Sequence, residues 1–499
     1  MKIDESLAAP TGVLDTLLRH FSTIDLQWAG FLVLCKTEVC SMPTISEAPT
    51  VESVPPAPVS LREAFLYWLK LGFISFGGPA GQISMMHTEL VERRRWISEH
   101  RFLHALNYTM VLPGPEAQQL ATYIGWLMHG TLGGIMAGVL FVLPSLAILI
   151  ALTWIYLVWG DLPVVAGVLY GIKPAVTAIV VFAAYRIGSR ALRNGVLWAM
   201  AAAAFVAIFA LHIPFPYIVL AAGVIGLVGG RIAPASFRAG GGHGASDKSF
   251  GPALIDDHTP APGWARFSWR STVIHVLAGL VIWILLEGML YLTWGWQGPL
   301  TQMGWFFTKA ALVTFGGAYA VLPYVYQGGV EHYGWLTGTQ MIDGLALGET
   351  TPGPLIMIVA FVGFVGGWVK EIFGADSLAL AGIAGATVAT VFTFLPSFIF
   401  ILVGGPAVEA TRHDVKFTAP LTGITAAVVG VVINLAVFFA WHVLWPDATD
   451  SDPFSGRFEW FSLLITVAAF LSLWRFKVGI SAVIGACAVA GLGWSVLVH

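Results

Sequence analysis

The sequence predicts an all-α polytopic membrane protein with two inverted-topology repeats that contain broken or re-entrant helices. Three observations predict this fold class: few charged residues, long apolar blocks, and motifs that recur at a fixed spacing. Charged residues make up 11% of the 499 residues, whereas a soluble domain carries about 25%. The composition therefore excludes an ordinary soluble enzyme. The formal net charge of −3 gives no general attraction to nucleic acid.

Long apolar blocks recur along the chain, and each can cross a hydrocarbon core about 30 Å thick. They cover residues 134–157, 164–185, 195–211, 215–230, 272–296, 377–403, 419–444, 457–474 and 478–497. A second set of apolar stretches is interrupted by glycines, prolines and charges: 62–86, 102–127, 302–326 and 339–368. Interruptions at membrane depth are tolerated where the chain lines a cavity, so these four stretches predict broken or re-entrant helices.

Two polar segments divide the chain. Residues 1–60 form an N-terminal extension that ends in a Pro/Ser-rich tether, and residues 231–270 form a second tether rich in glycine, proline and basic residues. The sequence therefore predicts a first repeat over 61–230, a basic cytoplasmic linker over 231–270, and a second repeat with its connecting span over 271–499. Below, 61–230 is the first half and 271–499 is the second half.

The two halves share motifs in the same order. A shift of 239 residues aligns Lys70 with Lys309, Phe76-Gly77-Gly78 with Phe315-Gly316-Gly317, Trp96 with Trp335, and Pro113-Gly114-Pro115 with Pro352-Gly353-Pro354. After an insertion in the second half, a shift of 252 residues aligns Leu143-Pro144-Ser145 with Leu395-Pro396-Ser397. Such a series indicates an internal duplication.

Basic residues predict that the two repeats have opposite orientations. The loop after the first Phe-Gly-Gly holds three consecutive arginines, 93–95, whereas its counterpart over 327–338 holds no Lys or Arg. The loop 186–194 is basic and its counterpart over 445–456 is acidic. Because Lys and Arg concentrate in cytoplasmic loops, equivalent loops of opposite character predict an inverted repeat.

The Pro-Gly-Pro motifs predict helix interruptions, since proline lacks an N–H and glycine has low helical propensity. A helix that begins after the motif directs its first N–H groups back at the break, which favours an anion. The Phe-Gly-Gly glycines allow close backbone approach to a ligand, or serve helix packing alone. The candidate substrate-binding residues at these motifs are Phe76, Gly77, Gly78, Pro113, Gly114, Pro115, Phe315, Gly316, Gly317, Pro352, Gly353 and Pro354.

Two lysines indicate that the ligand is negatively charged. Lys70 and Lys309 each precede the first glycine of a Phe-Gly-Gly motif by seven residues, which on a helix corresponds to the same face two turns away. A lysine at membrane depth is a candidate functional residue, or it extends its ammonium group to the interface. Two equivalent lysines near the midplane could bridge a dianion.

Other polar residues lie close to the motifs. Gln118, Gln119, Thr350 and Thr351 are hydrogen-bonding candidates for oxyanion atoms. Glu116 and Glu349 are coupling or ion-pair candidates at non-equivalent positions, and Glu116 could instead complement a helix dipole.

No cofactor is predicted from the sequence. His100 and His104 have the spacing of a metal-binding pair, but a third ligand is not evident, so we predict no metal site. The phosphate-binding pattern G-x4-G-K-[ST] is absent from the sequence, so transport would be driven by ion or substrate gradients.

These motifs resemble the chromate ion transporter family. The resemblance rests on Phe76-Gly77-Gly78-Pro79, Glu92-Arg93-Arg94-Arg95-Trp96, Leu112-Pro113-Gly114-Pro115-Glu116-Ala117, Phe315-Gly316-Gly317-Ala318-Tyr319 and Thr351-Pro352-Gly353-Pro354. It covers about residues 60–497. It implies a long-chain, two-domain member in the cytoplasmic membrane that exports chromate, with sulfate as the related oxyanion.

The residues and the resemblance both favour a transporter of tetrahedral oxyanions that works by alternating access between the two repeats. Chromate export could be coupled to sulfate exchange or to protons. Alternatives are a transporter of sulfate or another oxyanion, an anion channel, or a membrane-embedded enzyme. Enzymatic activity is not predicted, because no nucleophile, metal cluster or acid pair accompanies the breaks. Expected partners are chromate, sulfate and the lipid bilayer, and faces rich in Gly and Ala permit a monomer or a homodimer.

Overall fold

The computed structural model confirms an all-α polytopic protein. It describes residues 56–76, 78–237, 250–260, 262–315, 317–410, 418–448, 452 and 454–498. Helices dominate this part of the chain, which contains no β-strand, and an isolated bridge joins Ile97 and Ile255. Most of the N-terminal extension, part of the linker (238–249 and 261), Gly77 and Gly316 lie outside the described residues.

The helices are numbered here in chain order. The first half contains α1 (Leu61–Ile74), α2 (Gly78–His87), α3 (Glu99–Thr109), α4 (Glu116–Trp159), α5 (Pro163–Ala191), α6 (Gly195–Phe209) and α7 (Phe215–Ile232). A connecting helix, α8 (Trp269–Trp294), leads to the second half. The second half contains α9 (Pro299–Leu312), α10 (Ala318–Tyr326), α11 (Gly338–Thr350), α12 (Ile358–Val369), α13 (Leu378–Ala410), α14 (Thr418–Leu444), α15 (Trp460–Trp474) and α16 (Ile480–Val498).

Secondary structure repeats with the motifs. A six-residue π-helical segment follows α2 at Thr88–Arg93, and its counterpart at Gln327–His332 lies 239 residues later. The helices that follow begin with equivalent N-caps, because the side chains of Ser98 and Thr337 each accept a hydrogen bond from a backbone N–H three residues later. The duplication seen in the sequence is therefore also a duplication of helix boundaries.

Helix α4 is a hairpin of two arms rather than one long rod. Its backbone leaves the helical conformation at His129 and Gly130, where Gly130 has φ of +65°. A Cβ atom added to Gly125 would lie 2.5 Å from the carbonyl oxygen of Gly133, so the two arms touch through glycines. The first arm is therefore short, in agreement with the interrupted stretch predicted at 102–127, and the second arm contains the span predicted at 134–157.

Seven helices are long and apolar enough to cross a membrane in the part of the chain that the structure describes. They include seven of the nine full-length spans predicted from the sequence. The prediction was wrong in length for 195–211 and 457–474, where α6 and α15 are helices of 15 residues. Such a helix is about 22 Å long, shorter than a hydrocarbon core of about 30 Å.

The basic loop after α2 is held by local ion pairs and aromatic rings. The Arg94 guanidinium lies 2.8 Å from Glu89 and 3.3 Å from Glu63, and it also lies over the rings of Tyr67 and Trp96. Its hydrogen bond to Glu89 holds the pKa of that carboxyl below its usual range. These contacts give the loop a defined conformation beside α1.

Candidate functional site

Four helical segments begin at one cavity. The cavity is lined by residues from both Phe-Gly-Gly segments and both Pro-Gly-Pro segments: Pro79, Gln82, Pro115, Glu116, Ala117, Gly317, Ala318, Pro354, Leu355 and Ile356. Helices α2, α4 and α10 begin there, together with a 3₁₀ turn, Leu355–Met357, that leads into α12. The first N–H groups of a helix lack partners within the helix and carry partial positive charge, so this arrangement favours an anion.

The two Pro-Gly-Pro segments are bonded crosswise to the opposite halves. The backbone N–H of Gly114 donates to the carbonyl oxygen of Thr314 at 2.8 Å, and the N–H of Gly353 donates to the carbonyl oxygen of Ser75 at 2.8 Å. Gly114 and Gly353 are equivalent in the repeat, and so are Ser75 and Thr314. Each half therefore supplies the acceptor for the break in the other half.

Glycine is required at both centres of these motifs. Gly114 has φ of +122° and Gly353 has φ of +110°, a region that L side chains rarely adopt. A Cβ atom on Gly114 would lie 2.5 Å from Oγ of Ser397, and one on Gly353 would lie 2.6 Å from Cβ of Ser145. Sequence analysis did not assign these two serines to the site, although the repeated Leu-Pro-Ser motif contains them.

Glutamine amides surround the same region. Nε2 of Gln119 donates to the carbonyl oxygen of Pro113 at 2.8 Å, and Nε2 of Gln118 donates to Thr122 at 3.0 Å. Gln82, which sequence analysis missed, donates to the carbonyl oxygen of Gly353 at 2.5 Å. The amide oxygens of all three glutamines are buried and have no hydrogen-bond partner within the described ranges. Gln82 had no repeat signal, because its counterpart is Val321.

The two candidate glutamates have different environments. Glu116 lines the cavity, directly after Pro115. Glu349 is buried, accepts a hydrogen bond from the hydroxyl of Tyr319, and interacts electrostatically with Arg186. Only Glu116 therefore faces the place where the helices begin.

The candidate threonines bond within their own helix. The Thr350 hydroxyl donates to carbonyl oxygens of α11, at 3.1 Å to Ala346 and 3.0 Å to Leu347. Thr351 donates to the carbonyl oxygen of Leu347 at 2.5 Å. These hydroxyl groups therefore stabilise the end of α11 just before the Pro-Gly-Pro segment.

The candidate lysines do not line the cavity. Lys70 is exposed on α1, and Lys309 is half-buried on α9 with Nζ 5.6 Å from the centre of the Trp305 ring. Helices α1 and α9 end at Ile74 and Leu312, before the Phe-Gly-Gly motifs. The spacing of seven residues therefore crosses a break and does not keep lysine and glycine on one helical face. Phe76 is exposed and Phe315 is half-buried.

Two ion pairs connect helices that are distant in the sequence, and sequence analysis missed both. Arg101 on α3 lies 2.7 Å from Glu409 on α13, and the Tyr123 hydroxyl donates to the same carboxylate at 2.6 Å. Both charged side chains are 4% exposed. Arg101 also donates to the carbonyl oxygen of Asp256 in the linker at 3.3 Å. This pair therefore joins α3 of the first half to α13 of the second half.

The second pair lies on the helix that is equivalent to α3. Asp343 on α11 is 3.5 Å from Lys173 on α5, and it accepts a hydrogen bond from Tyr156 on α4 at 3.0 Å. Charged residues in membrane segments are rare and costly, so Lys173 and Asp343 could have been selected from the sequence on that ground alone.

Comparisons with known proteins identify the family of the chain. The model of the family described as "Chromate transporter" matches residues 62–227 and 301–492. The chain belongs to the chromate transporter family. The first matching segment begins in α1 and ends in α7. The second begins in α9 and ends in α16, and α8 lies between the two segments of this chromate transporter family member.

Several relatives are similar over most of their length. A chromate transport protein of Pseudomonas aeruginosa is 33% identical over 454 residues, which are 89% of this chain and 94% of that protein. A chromate transport protein of Cupriavidus metallidurans is 30% identical over 394 residues, 78% of this chain and 85% of that protein. A shorter relative, the uncharacterized transporter YwrB of Bacillus subtilis, is 30% identical over 133 residues, 27% of this chain and 68% of that protein. No solved structure matches the chain significantly.

We expect Gly114→Ala and Gly353→Ala to lower the thermal unfolding temperature of the purified protein in detergent. Each adds strain at positive φ and a clash with a serine of the opposite half, together about 2–4 kcal/mol. Gly334→Ala is the matched control, because Gly334 has φ of +57° and open space around it. Replacing Ser397 by Gly should partly restore the Gly114→Ala protein. Equal losses in the control and both site variants would show that the serine contacts do not matter.

We expect Arg101→Met to destabilise the protein by about 3–5 kcal/mol, because it removes the guanidinium that lies 2.7 Å from the buried Glu409 carboxylate. The double variant Arg101→Met/Glu409→Gln should recover a large part of this loss. Arg93→Met, at a side chain that is 73% exposed, is the control and should unfold at the wild-type temperature. Thermal unfolding of wild type, Arg101→Met, Glu409→Gln and the double variant gives the coupling between the two side chains, and additive losses would contradict a direct ion pair.

Proposed function

We propose that this protein exports chromate from the cytoplasm across the cytoplasmic membrane, with sulfate as a related substrate. The observation that carries the proposal is the cavity between the halves, where four helical segments begin. A tetrahedral dianion suits such a site, since its oxygens accept hydrogen bonds from several N–H groups at once. The relatives in Pseudomonas aeruginosa and Cupriavidus metallidurans are named chromate transport proteins, which supports chromate as the anion.

The proposed mechanism is alternating access. The cavity has room for about one water molecule in this conformation, so an oxyanion enters only when the halves move apart. The contacts that must rearrange are the crossed hydrogen bonds of Gly114 and Gly353. Movement of one half against the other would expose the helix beginnings first to one side of the membrane and then to the other.

Selectivity in this site depends on charge and shape. Chromate and sulfate are both tetrahedral dianions, so backbone N–H groups distinguish them weakly. Glu116 carries negative charge at the cavity when ionised and would oppose a dianion. We therefore propose that Glu116 is protonated or paired with a cation when the anion binds. Lys70 and Lys309 lie outside the cavity in this conformation, but each is within the last turns of the helix that precedes a Phe-Gly-Gly motif. We propose that they become the cations of the site when those helices move.

The proposed domain organisation has two oppositely oriented repeats, 61–230 and 271–499, separated by a cytoplasmic linker. The contrast in basic residues between equivalent loops supports this orientation. The matching helix boundaries support the duplication. Export of chromate would be driven by sulfate exchange or by protons.

Liposomes that contain the purified protein should take up labelled sulfate faster when chromate is trapped inside, because internal chromate binds the site and returns with it to the outside, where sulfate replaces it. Lys70→Ala and Lys309→Ala should each abolish this uptake, whereas Lys370→Ala, at an exposed lysine, should retain it. Uptake without saturation and without stimulation by internal chromate would indicate a channel. Sulfate uptake at the wild-type rate in both lysine variants would show that the two lysines do not take part in anion binding.

Single cysteines at Arg94 and Tyr333, in a background without the native cysteines, should react with impermeant reagents from opposite sides of the membrane. The two positions lie in equivalent segments that follow the π-helical turns, so an inverted repeat separates them. Sealed vesicles of both orientations provide the measurement. Labelling of both positions from one side would contradict the inverted repeat.

A further inference from the structure

A buried carboxyl group lies on the connecting helix, outside both segments that match the family. Glu287 on α8 is 6% exposed. Neither of its carboxyl oxygens has a hydrogen-bond partner within the part of the chain that the structure describes. Most other side chains of α8 are exposed and apolar, as expected of a helix that faces lipid. Glu287 is therefore an exception that packing alone does not explain.

Small and apolar neighbours make room for this carboxyl. A Cβ atom added to Gly304 on α9 would lie 2.3 Å from Oε2 of Glu287 and 3.2 Å from the ring of Phe392 on α13. Trp283, one turn before Glu287, donates to Thr308 on α9 at 2.9 Å. The carboxyl group therefore points into the contact between α8, α9 and α13. The hydroxyl of Thr301, one turn before Gly304, is also buried without a described partner.

The charged groups of the two helices that pack on α8 are engaged elsewhere. On α9 the charged residue is Lys309, whose Nζ lies over the Trp305 ring. On α13 it is Glu409, which is about 25 Å from Phe392 along the helix and is paired with Arg101.

The titratable groups on α8 itself are also unsuited to pair with Glu287. Arg270 lies about 25 Å away along the helix and His275 lies about 18 Å away. His275 also contacts the carbonyl oxygen of Ser271. Tyr291 is one turn away and its side chain is exposed.

This environment favours a neutral carboxylic acid. An unpaired carboxylate buried in an apolar contact costs several kcal/mol. A metal cation needs several oxygen ligands, and Gly304 and Phe392 have no side-chain oxygen. A proton needs only the carboxyl group itself.

We propose that Glu287 is a proton-binding site that couples oxyanion transport to the proton gradient. The proposal rests on the proposed function. The carboxylate takes up one proton to become the carboxylic acid that this conformation favours, and it releases that proton when α8 separates from α9 and α13 and water reaches the carboxyl group.

The path from this site to the anion cavity runs through two helices. Helix α9 continues from Gly304 to its end at Leu312, about 12 Å further along the helix, and Thr314, two residues later, accepts the N–H of Gly114. Helix α13 continues from Phe392 to Ser397, which lies against Gly114. A change in the packing of α8 therefore acts on the two elements that hold the first Pro-Gly-Pro segment.

The test compares wild-type protein with Glu287→Gln in liposomes, using labelled sulfate as the probe and a membrane potential clamped to zero. In wild type, a gradient of one pH unit should support up to about tenfold accumulation for each coupled proton. Glu287→Gln mimics the neutral acid, so it should lose this gradient-driven accumulation and keep sulfate exchange at equal pH within about twofold of wild type. Asp376→Asn, at an exposed carboxylate before α13, is the control and should behave as wild type.

Several results would overturn the proposal. If Glu287→Gln still accumulates sulfate in response to the pH gradient, Glu287 does not couple transport to protons. Loss of exchange as well, in protein with a wild-type unfolding temperature, would make the carboxyl group structural. Sulfate transport in wild type that ignores the pH gradient would refute the proton site and leave the proposed function intact.

An infrared measurement keeps the site testable without transport. Wild-type protein in lipid should show the carbonyl stretch of buried protonated carboxylic acids, and Glu287→Gln should lose the part of that band that Glu287 contributes. An unchanged band in Glu287→Gln would contradict the proton site even if wild type transported neither chromate nor sulfate, a result that would refute the proposed function.

Discussion

The structure around the cavity depends on one constraint: each Pro-Gly-Pro segment has a single backbone donor. Pro113 and Pro115 have no N–H, so Gly114 carries the only one in its segment, and the same holds for Gly353. Both donors bond to a carbonyl oxygen of the opposite half at 2.8 Å. Because a buried N–H without an acceptor is costly, each segment is satisfied only where it meets the opposite half, and the two halves must meet at both segments for both donors to be satisfied.

The sequence predicted the helices and their interruptions because both have local causes. Proline and glycine interrupt a helix where they are clustered, so the breaks near Gly78 and Gly114 follow from residue type, whereas the isolated Pro144 and Pro174 lie inside helices. The partners across the break could not be predicted, since a repeat shows which residues are equivalent and not which residues touch. The lysine argument assumed that one helix ran from Lys70 to Gly77, and α1 ends at Ile74.

The scaffold is duplicated, but its chemistry is not. Glu116 corresponds to Leu355, and Arg101 corresponds to Gln340. Asp343, which binds Lys173, corresponds to His104. These differences lie at positions where repeat analysis has no signal, which explains why the ion pairs were missed. The shared backbone positions the helix beginnings symmetrically, whereas the unshared side chains make the two sides of the cavity chemically different.

The crossed bonds also bear on how such a chain could arise. A polypeptide that consisted of only one half would contain the N–H donor of its Pro-Gly-Pro segment, but the carbonyl oxygen that accepts this hydrogen bond would be in another molecule. An ancestor of that size would therefore have had to assemble with a second copy. Fusion of two copies fixes their ratio at one to one and removes the dependence of assembly on concentration. After fusion each copy meets a constant neighbour, and the two sequences are free to diverge.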